Sequence, residues 1–533
     1  MKKNTVFLFF LIFSNAIAQH NLSALLPYPN QIEPQKGILK ITKKEKIHAD
    51  GGLEFASSEL KTIFQKHFGF EPISSEKGNI RLKINPQLEN EEQYVLDIRP
   101  QGISIEGKTA AGVLYGIYTL EQILIGDTAQ TALQRIQSVR INDRPAYPFR
   151  ALMLDPARHF LPLDGVKKYI AQMAKFKYNT LQIHLTDDQG WRIEIKSRPQ
   201  LTEKGNTPTK NGERNFYTQE ELTELIDFSV LRNVEIIPEI DVPGHTAALL
   251  AAYPDLRCDF LKDSVFVIGK TDNVMLSAAN PEVYALLDDV IREVSAIFPS
   301  KKIHLGGDES AIGRNWAKSD ENLKLMSEKG YTKPEELMNI FFGSVLASVK
   351  KYGMHAILWC ELDNIRMPAN RYLFDYPKDV TLVTWRYGLT PKCIELTGLS
   401  GNNLILAPGE YAYLDYPQYK NDLPEYNNWG MPTTTLEKTY SFDPTYGLST
   451  KETAHIQGVM GTLWGEAIKD INRANYMTYP RGLALAEAGW TEKQFRNWDS
   501  FRQRIYPNLT ELMKNGTSFR VPFEIAEIKQ NQP

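Results

Sequence analysis

From residue 149 onward, the sequence repeats one unit: a short apolar run, a polar or aromatic motif, and a longer amphipathic stretch. The apolar runs have the length of buried strands, and amphipathic stretches such as LDGVKKYIAQMAKFK have the spacing of surface helices. Buried strands that alternate with helices are typical of parallel α/β sheets. Eight runs can be counted, at residues 151–154, 180–185, 234–240, 302–305, 356–359, 380–385, 404–407 and 458–463.

Eight such units favour a closed (β/α)8 TIM barrel, in which helices surround eight parallel strands. An open doubly wound sheet is the alternative, but no glycine fingerprint for a dinucleotide follows the first run. In a closed barrel the carboxyl ends of all strands meet at one face, where the active site lies. We therefore expect the polar motifs that follow the eight runs to converge around one mouth.

The barrel prediction covers residues 146–500 and leaves a segment on each side. Residues 19–145 mix short strand-like runs with helix-like stretches, which predicts a small N-terminal α+β domain. Pro145 and Pro148 punctuate the passage from this domain into the barrel. Residues 501–533 are expected to form a C-terminal helical tail that packs on the barrel.

The first residues, MKKNTVFLFFLIFSNAIAQ, have the features of a secretory signal peptide. Two lysines precede an apolar run, and the small-x-small pattern AIA follows it. We expect residues 1–18 to be removed, the mature chain to start near Gln19, and the protein to be periplasmic or secreted. No later stretch approaches the roughly 20 apolar residues of a transmembrane helix, so no membrane span is expected.

The composition argues against a polyanionic partner. The formal net charge is -3 and the pI is near 6.4, so nucleic acid is not an expected ligand. Cysteines are few, at positions 258, 360 and 393. An odd number in an exported chain makes a disulfide framework improbable and predicts three separate buried thiols.

The motif HLGGDE at residues 304–309 sets two adjacent carboxylates, Asp308 and Glu309, directly after two glycines. Like charges side by side repel each other and resist burial. Two solvated loop carboxylates would be the ordinary interpretation of such a pair. Gly306 and Gly307 argue against it, because adjacent glycines permit a close backbone approach or unusual dihedral angles. We predict that one carboxyl is a general acid, while its ionised neighbour holds it or the substrate in place.

Two further polar clusters follow the first three apolar runs. A guanidinium after the first run, in LDPARHF, either pairs with a surface carboxylate or recognises vicinal sugar hydroxyls. The motifs HLTDDQGW and PEIDVPGH follow the second and third runs without a His-x-x-x-His pair or a calcium-loop spacing, so no metal is predicted. A hydrogen bond between histidine and aspartate that tunes the acid is favoured instead. The candidates are Asp155, Arg158, His159, His184, Asp187, Asp188, Trp191, Glu239, Asp241 and His245.

Tryptophans and tyrosines cluster near the ends of the runs. Any one of them could fill the core, but several indoles at one rim are costly to expose unless they stack on a ligand. A pyranose offers an apolar face for such stacking. Asp415 and Glu466 stand next to these rings and could accept hydrogen bonds from sugar hydroxyls. The aromatic candidates are Trp191, Trp359, Trp385, Trp429, Trp464, Tyr411 and Tyr413.

Residues 145–490 resemble glycoside hydrolase family 20, the β-N-acetylhexosaminidases. The resemblance rests on LDPARHFLPL, HLTDDQGWRIEI, PEIDVPGH, HLGGDE, YLDYPQ, KTYSFDP and GTLWGE, in this order. Residues 20–145 look like the small α+β domain that precedes the barrel in that family. The resemblance implies an exo-acting enzyme that releases terminal β-linked GlcNAc or GalNAc from a glycan and needs no cofactor.

The resemblance also answers why two acids are adjacent. Retaining glycosidases ordinarily place a nucleophilic carboxylate across the sugar from the acid, but in this family the substrate's own 2-acetamido oxygen attacks. By similarity, Glu309 would protonate the leaving oxygen and later activate water. Asp308 would accept the acetamido N–H and stabilise the oxazolinium ion.

Similarity assigns the remaining candidates to sugar binding. Arg158 would bind O3 and O4, with Glu466 and Asp415 at O4 and O6. Asp187 and His245 would hydrogen-bond to each other and support Glu309. The acetamido group would be enclosed or bound by Trp359, Trp385, Trp464 and Tyr413.

The surroundings of Trp429, EYNNWGMP, match no strict motif, so this residue is predicted at the sugar or on the leaving-group side. Two other interpretations are open. A family member that removes a disaccharide such as lacto-N-biose would need a deeper pocket, against which Arg158, Asp415 and Glu466 argue. A catalytically silent glycan-binding protein would keep the aromatic residues and lose the acid, whereas this chain retains Glu309.

Overall fold

The structure, a computed structural model, describes residues 22–207, 213–363, 371–420, 422 and 431–526. The predicted signal peptide at residues 1–18 lies outside the described residues. The chain forms an N-terminal domain with a seven-stranded sheet, then a closed barrel of eight strands. The predicted small domain and TIM barrel are therefore confirmed.

The N-terminal domain is an α+β unit with a mixed sheet. Its strands are β1 (Gln31–Lys40), β2 (Lys46–Ala49), β3 (Ile73–Ser74), β4 (Ile80–Ile84), β5 (Tyr94–Arg99), β6 (Gly102–Gly107) and β7 (Arg135–Asp143). Its helices are α1 (Glu54–Phe68), α2 (Ala110–Gly126) and α3 (Thr128–Ala132). The strand order is β1-β7-β5-β6-β4-β2-β3, antiparallel from β1 to β6 and parallel from β6 to β3.

The second domain contains the barrel and a short hairpin, β10–β11, that follows its second strand. Its strands are β8 (Phe149–Leu154), β9 (Thr180–His184), β10 (Thr186–Asp187), β11 (Gly190–Trp191), β12 (Glu235–Glu239), β13 (Lys302–His304), β14 (His355–Trp359), β15 (Thr381–Thr384), β16 (Leu404–Leu406) and β17 (Ile456–Gly461). The eight barrel strands pair in parallel and in chain order, and β17 closes on β8. Each overlaps one of the predicted apolar runs, and closure excludes the open sheet.

Helices follow the strands where the sequence carries amphipathic stretches and capping residues. They are α4 (Leu163–Lys175), α5 (Gln200–Lys204), α6 (Gln219–Val230), α7 (Ala247–Ala252), α8 (Pro281–Ile297), α9 (Asp320–Glu328), α10 (Leu337–Lys351), α11 (Thr390–Ser400), α12 (Gly409–Ala412), α13 (Leu436–Tyr440), α14 (Ile471–Thr478), α15 (Arg481–Trp490), α16 (Trp498–Lys514) and α17 (Phe523–Ala526). Helix α6 begins with a capping box between Thr218 and Glu221, and α8 begins with Asn280 as cap and a proline at its start. Such ends satisfy backbone N–H groups that the helix itself leaves free.

The barrel interior is a small core of its own, separate from the large core between strands and helices. Inward-facing side chains such as Met153, Ile237 and Met460 fill it. The same cluster continues upward into Trp359, Tyr413 and Trp464. The floor of the barrel mouth is therefore made of aromatic rings that rest on packed aliphatic side chains.

The three cysteines are free and buried, as expected. They are not all separate, because the Sγ atoms of Cys360 and Cys393 lie 3.2 Å apart. Cys360 directly follows strand β14, and Cys393 lies on α11. The spacing of residues along the chain does not indicate that these two elements are neighbours.

The two domains are joined by buried polar contacts. Arg150, on the first barrel strand, is almost fully buried, and its Nη1 and Nη2 atoms each donate at 2.8 Å to Glu92 of the N-terminal domain. Asn179 and Asn233 of the barrel donate to the same carboxylate, at 3.0 and 2.9 Å. Glu92 is thus one point at which the small domain is joined to the barrel by several hydrogen bonds.

The C-terminal helix α16 begins at Trp498, three residues before the predicted tail at 501. Its Arg504 pairs with Glu487 of α15 at 2.8 Å and also donates to the backbone oxygen of Leu25. Asn508 donates to the backbone oxygen of Ala24. The helix therefore contacts both the last barrel helix and the start of the N-terminal domain. Among the described residues, no helix is long and apolar enough to span a membrane.

Substitution of Glu92 by alanine should destabilise the protein strongly, because it leaves Arg150 as a buried charge without its carboxylate. Loss of one partner of a buried ion pair costs about 3 to 5 kcal/mol. The control is Glu89→Ala, which removes an exposed ion pair to Arg144 and should cost under about 1 kcal/mol. Thermal unfolding of both variants measures the difference, and equal midpoints would contradict the role of Glu92.

Candidate active site

Eleven of the twelve predicted site residues lie at the carboxyl ends of the barrel strands, and Trp429 lies outside the described residues. Every barrel strand contributes at least one of them directly or through the loop that follows it. In chain order they are Arg158, Asp187, His245, Asp308, Glu309, Trp359, Trp385, Tyr413, Asp415, Trp464 and Glu466. The expected convergence at one mouth therefore occurs in the structure.

The two glycines before the acids form a tight turn that no other residue could make without strain. Gly306 and Gly307 have φ angles of 64° and 93°. A Cβ atom on Gly306 would lie 1.7 Å from Oδ1 of Asp241. The same oxygen accepts a hydrogen bond from the backbone N–H of Gly307 at 3.2 Å. The glycines thus allow both a left-handed backbone and a close approach of the neighbouring loop.

The turn gives the two adjacent acids different environments. The side chain of Asp308 is 8% exposed, whereas that of Glu309 is 54% exposed. Glu309 itself has a φ of 48°, which is uncommon for a residue with a side chain. One carboxylate therefore lies inside the pocket while the other faces its opening.

His245 lies between these acids and a deeper aspartate. Its Nδ1 is 3.4 Å from Asp187, and its Nε2 is 3.8 Å from Asp308 and 3.9 Å from Glu309. Burial alone would lower the pKa of His245, but Asp187 and the other nearby carboxylates raise it well above its usual range. The imidazolium is therefore the favoured form, with a proton on each ring nitrogen.

Arg158 holds the other side of Asp187. Its guanidinium lies 3.0 Å from Asp187, donates to Asp155 at 2.7 Å, and lies 3.2 Å from Glu466. Burial would raise the pKa of Asp187, but Arg158 and His245 hold it well below its usual range. Three carboxylates thus orient one guanidinium at the edge of the pocket.

Asp241 lies beneath the two acids, where its carboxyl group is fully buried. Burial, and then the charge of Asp308, raise its pKa well above the usual range. The protonated form of Asp241 is therefore favoured next to the charge of Asp308. This protonation state resolves part of the repulsion that three neighbouring acids would otherwise suffer.

A second pair of opposite charges lies below the pocket. His184 lies 2.8 Å from Asp187 and 2.9 Å from Glu239. Glu239 accepts hydrogen bonds from Gln182 and from the indole N–H of Trp359, both at 2.8 Å. Trp359 is therefore oriented through its polar edge, and its ring is left to face the pocket.

Four aromatic residues form one wall of the site. Trp359, Tyr413 and Trp464 are buried in the same cluster, and Trp385 packs against it half-buried. The rings of Trp359 and Trp464 lie 5.7 Å apart, and the Arg158 guanidinium lies 4.8 Å from the Trp464 ring. The wall is apolar enough to enclose a methyl group or the face of a sugar.

Several buried polar atoms of this pocket have no hydrogen-bond partner among the described residues. They include Oδ1 of Asp308, Nε1 of Trp385, Oη of Tyr413 and both carboxyl oxygens of Asp415. A buried polar group left without a partner costs about 1 to 3 kcal/mol. An acceptor and a donor of this kind in one pocket indicate a ligand that supplies the missing partners. A secondary amide carries one N–H and one carbonyl and suits such a pocket.

Asp415 and Glu466 lie at the Arg158 edge. Burial, and then the charge of Glu466, raise the pKa of Asp415 well above its usual range. Burial also raises the pKa of Glu466, although Arg158 opposes the shift. A protonated carboxyl can donate as well as accept a hydrogen bond, which suits recognition of hydroxyl groups.

Among the residues that the structure describes, three sets of side chains are close enough to hold a cation. Each set contains a histidine, and the carboxylates of Asp187, Glu239 and Asp308 already lie between 2.8 and 3.8 Å from a histidine nitrogen. The prediction that no metal takes part stays a prediction. The sets are His184 with Glu239 and Asp241, Asp187 with Asp188 and His245, and Asp241 with His245 and Asp308.

Two residues of the site, Glu361 and Arg386, were not among the predicted candidates. Oε1 of Glu361 accepts a hydrogen bond from the backbone N–H of Glu309 at 3.2 Å. Arg386 donates to both oxygens of Glu361, at 3.1 and 3.0 Å. They stand in LWCE and TWRYG, so the rule that charged residues follow barrel strands could have found them.

Comparison with known proteins agrees with this geometry. The family model "Glycosyl hydrolase family 20, catalytic domain" matches residues 147–493, and its "domain 2" matches residues 22–144. A β-hexosaminidase of Akkermansia muciniphila is 36% identical over 456 residues, which cover 84% of this chain and 88% of that protein. A β-hexosaminidase of Vibrio furnissii is 34% identical over 490 residues, which cover 88% and 77%.

A solved structure shows the same likeness in three dimensions. The family 20 exo-β-N-acetylglucosaminidase from Vibrio harveyi, in complex with N-acetylglucosamine, superposes with a TM-score of 0.80 at 30% identity. The match covers 94% of this chain and 79% of that one. The chain belongs to glycosyl hydrolase family 20 and is a glycoside hydrolase.

Replacement of Gly306 by alanine should abolish most activity, since the new Cβ would meet Asp241 and force the acids out of place. Displacement of a catalytic group by about 1 Å can cost about a hundredfold in rate. Gly313→Ala is the matched control, because its Cβ would meet nothing within 4 Å. Release of p-nitrophenol from its β-GlcNAc glycoside measures both, and comparable rates would refute the account of the turn.

Proposed function

We propose that this protein is an exo-acting β-N-acetylhexosaminidase that removes terminal, non-reducing GlcNAc or GalNAc from glycans. The reaction retains the anomeric configuration and uses the substrate's 2-acetamido group as nucleophile. The observation that carries the proposal is a pair of adjacent acids, one buried and one exposed, beside an aromatic wall. Oδ1 of Asp308 and Nε1 of Trp385 lack hydrogen-bond partners there, and an amide could supply them.

The geometry supports separate roles for the two acids. Asp308 has a buried oxygen without a hydrogen-bond partner, and this oxygen would accept the acetamido N–H and aim the carbonyl at C1. As the carbonyl attacks, the charge of Asp308 stabilises the oxazolinium ion. A nucleophile held in this way turns a bimolecular encounter into an effectively unimolecular one, worth up to roughly 7 to 11 kcal/mol.

Glu309 is the proton donor and, afterwards, the base. The exposed side chain of Glu309 supports this role, because the leaving group departs and water enters on the solvent side of the pocket. It protonates the glycosidic oxygen in the first step and removes a proton from the attacking water in the second. His245, held by Asp187, contributes a positive group within 3.9 Å of Glu309.

The remaining residues bind the terminal sugar. Arg158, Asp415 and Glu466 lie together at one edge and would bind the hydroxyls at O3, O4 and O6. Trp359, Trp385, Trp464 and Tyr413 would enclose the acetamido group. Polar groups that close around a single ring favour release of a monosaccharide over the release of a disaccharide such as lacto-N-biose.

We expect the wild-type protein to hydrolyse p-nitrophenyl β-GlcNAc and to leave the corresponding β-glucoside, which lacks the amide, nearly untouched. Glu309→Gln should lower the rate about 10²- to 10⁴-fold, the range for a lost general acid. A colorimetric assay of p-nitrophenol measures all three. A wild-type protein that binds the sugar without cleaving it would instead be the silent glycan-binding protein, and full activity of the variant would remove Glu309 as the acid.

We also propose that the chain is exported. The support is the lysine, apolar and small-residue pattern of residues 1–18. Mass spectrometry of the protein from the periplasm or the medium should find Gln19 at the N-terminus. A chain that keeps Met1 and stays in the cytosol would contradict this proposal.

A further inference from the structure

An ion pair lies next to Glu309, and the proposed reaction assigns it no role. Glu361 follows strand β14 and is nearly fully buried, and Arg386 follows strand β15. Two hydrogen bonds, from Nε and Nη2 of Arg386 to the two oxygens of Glu361, join them in a bidentate pair. Such a pair has a defined geometry, because the guanidinium and the carboxylate are both planar.

Each member of this pair also reaches Glu309. Glu361 accepts the backbone N–H of Glu309 at 3.2 Å, and Nη1 of Arg386 lies 3.9 Å from the Glu309 carboxylate. The Arg386 guanidinium also lies 3.9 Å from the ring of Trp385. The pair thus contacts the acid through its backbone and its side chain, and the aromatic wall as well.

The backbone of Glu309 needs such support. Its φ of 48° lies in the left-handed region, which a residue with a side chain adopts only when its surroundings impose it. Its side chain is more than half exposed, so packing does not hold the carboxylate in place. Of the described contacts, the hydrogen bond to Glu361 is the one made by the Glu309 backbone N–H.

We propose that Glu361 and Arg386 are positioning residues for Glu309: Glu361 fixes its backbone, and Arg386 holds its carboxylate toward the glycosidic oxygen. The inference rests on the proposed function of Glu309 as the acid. Neither residue needs to touch the reacting atoms, because both act through the position of one proton donor.

The charges within the pair make it act as a unit. Burial raises the pKa of Glu361 to about 7, and Arg386 opposes that shift. Glu361 therefore depends on Arg386 for its negative charge near neutral pH. Loss of either residue should produce the same defect in the placement of Glu309.

A purely structural ion pair would give a different pattern. It would lower stability and slow all substrates alike. A misplaced acid instead slows most the substrates whose leaving group most needs a proton. The dependence of rate on leaving-group acidity therefore separates a positioning role from a structural one.

The experiment measures kcat/KM for a series of aryl β-GlcNAc glycosides whose phenols differ in acidity, with Arg386→Met and Glu361→Gln. In both variants, the fall in kcat/KM should be at least about tenfold larger for the glycoside of the least acidic phenol than for that of the most acidic one. This difference is smaller than the effect of losing the general acid itself. Arg386→Lys should recover part of this loss in kcat/KM. If Arg386→Met fails to fold, Arg386→Lys replaces it in the comparison. Glu309→Gln provides the steep dependence expected when the acid is absent.

Glu487→Gln is the matched control, because Glu487 also forms a buried bidentate pair, with Arg504, far from the barrel mouth. It should lower the unfolding temperature without changing the leaving-group dependence. Equal losses for all phenols in Arg386→Met and Glu361→Gln would overturn the inference. If the wild type cleaves none of the glycosides, the proposed function fails. If Glu309→Gln steepens the dependence and the pair's variants do not, the positioning role alone fails.

Discussion

The active site depends on the close contact between Asp241 and the glycine turn. The Asp241 carboxyl occupies the space that a side chain on Gly306 would need, and it accepts the N–H of Gly307. This contact turns the chain so that Asp308 enters the pocket and Glu309 faces its opening. Two carboxyl groups that are adjacent in the chain can then perform different chemistry, because they differ in solvation.

The surrounding charges keep this arrangement stable. Asp187 is held between Arg158 and His245, so its negative charge is compensated from two sides. Burial and the charge of Asp308 raise the pKa of Asp241 well above its usual range, which favours its neutral form and limits the repulsion at Asp308. Because buried charges are tolerated when they are paired and hydrogen-bonded, the site can bring several carboxylates together. In the proposed complex, the substrate's amide would supply the hydrogen-bond partners that buried atoms of the pocket lack.

The strand ends and the glycine turn were predictable because they depend on local patterns. Apolar runs mark the strands, and a polar residue just after a barrel strand points to the mouth. The same rule points to Glu361 and Arg386, but it does not predict that they pair with each other and contact Glu309. These contacts depend on the register of β14 against β15, where Trp359 pairs with Val383, and continuous apolar runs carry no alternation that defines a register. The nearness of Cys360 and Cys393 depends in the same way on how α11 packs.

The central claim is that the sugar's own carbonyl oxygen attacks C1. A series of p-nitrophenyl β-GlcNAc substrates with zero to three fluorine atoms on the acetamido methyl tests it most directly, since each fluorine weakens the oxygen as a nucleophile. The account predicts that kcat/KM falls steeply with every fluorine added. Rates that stay level across the series would contradict it and would require a nucleophile from the protein.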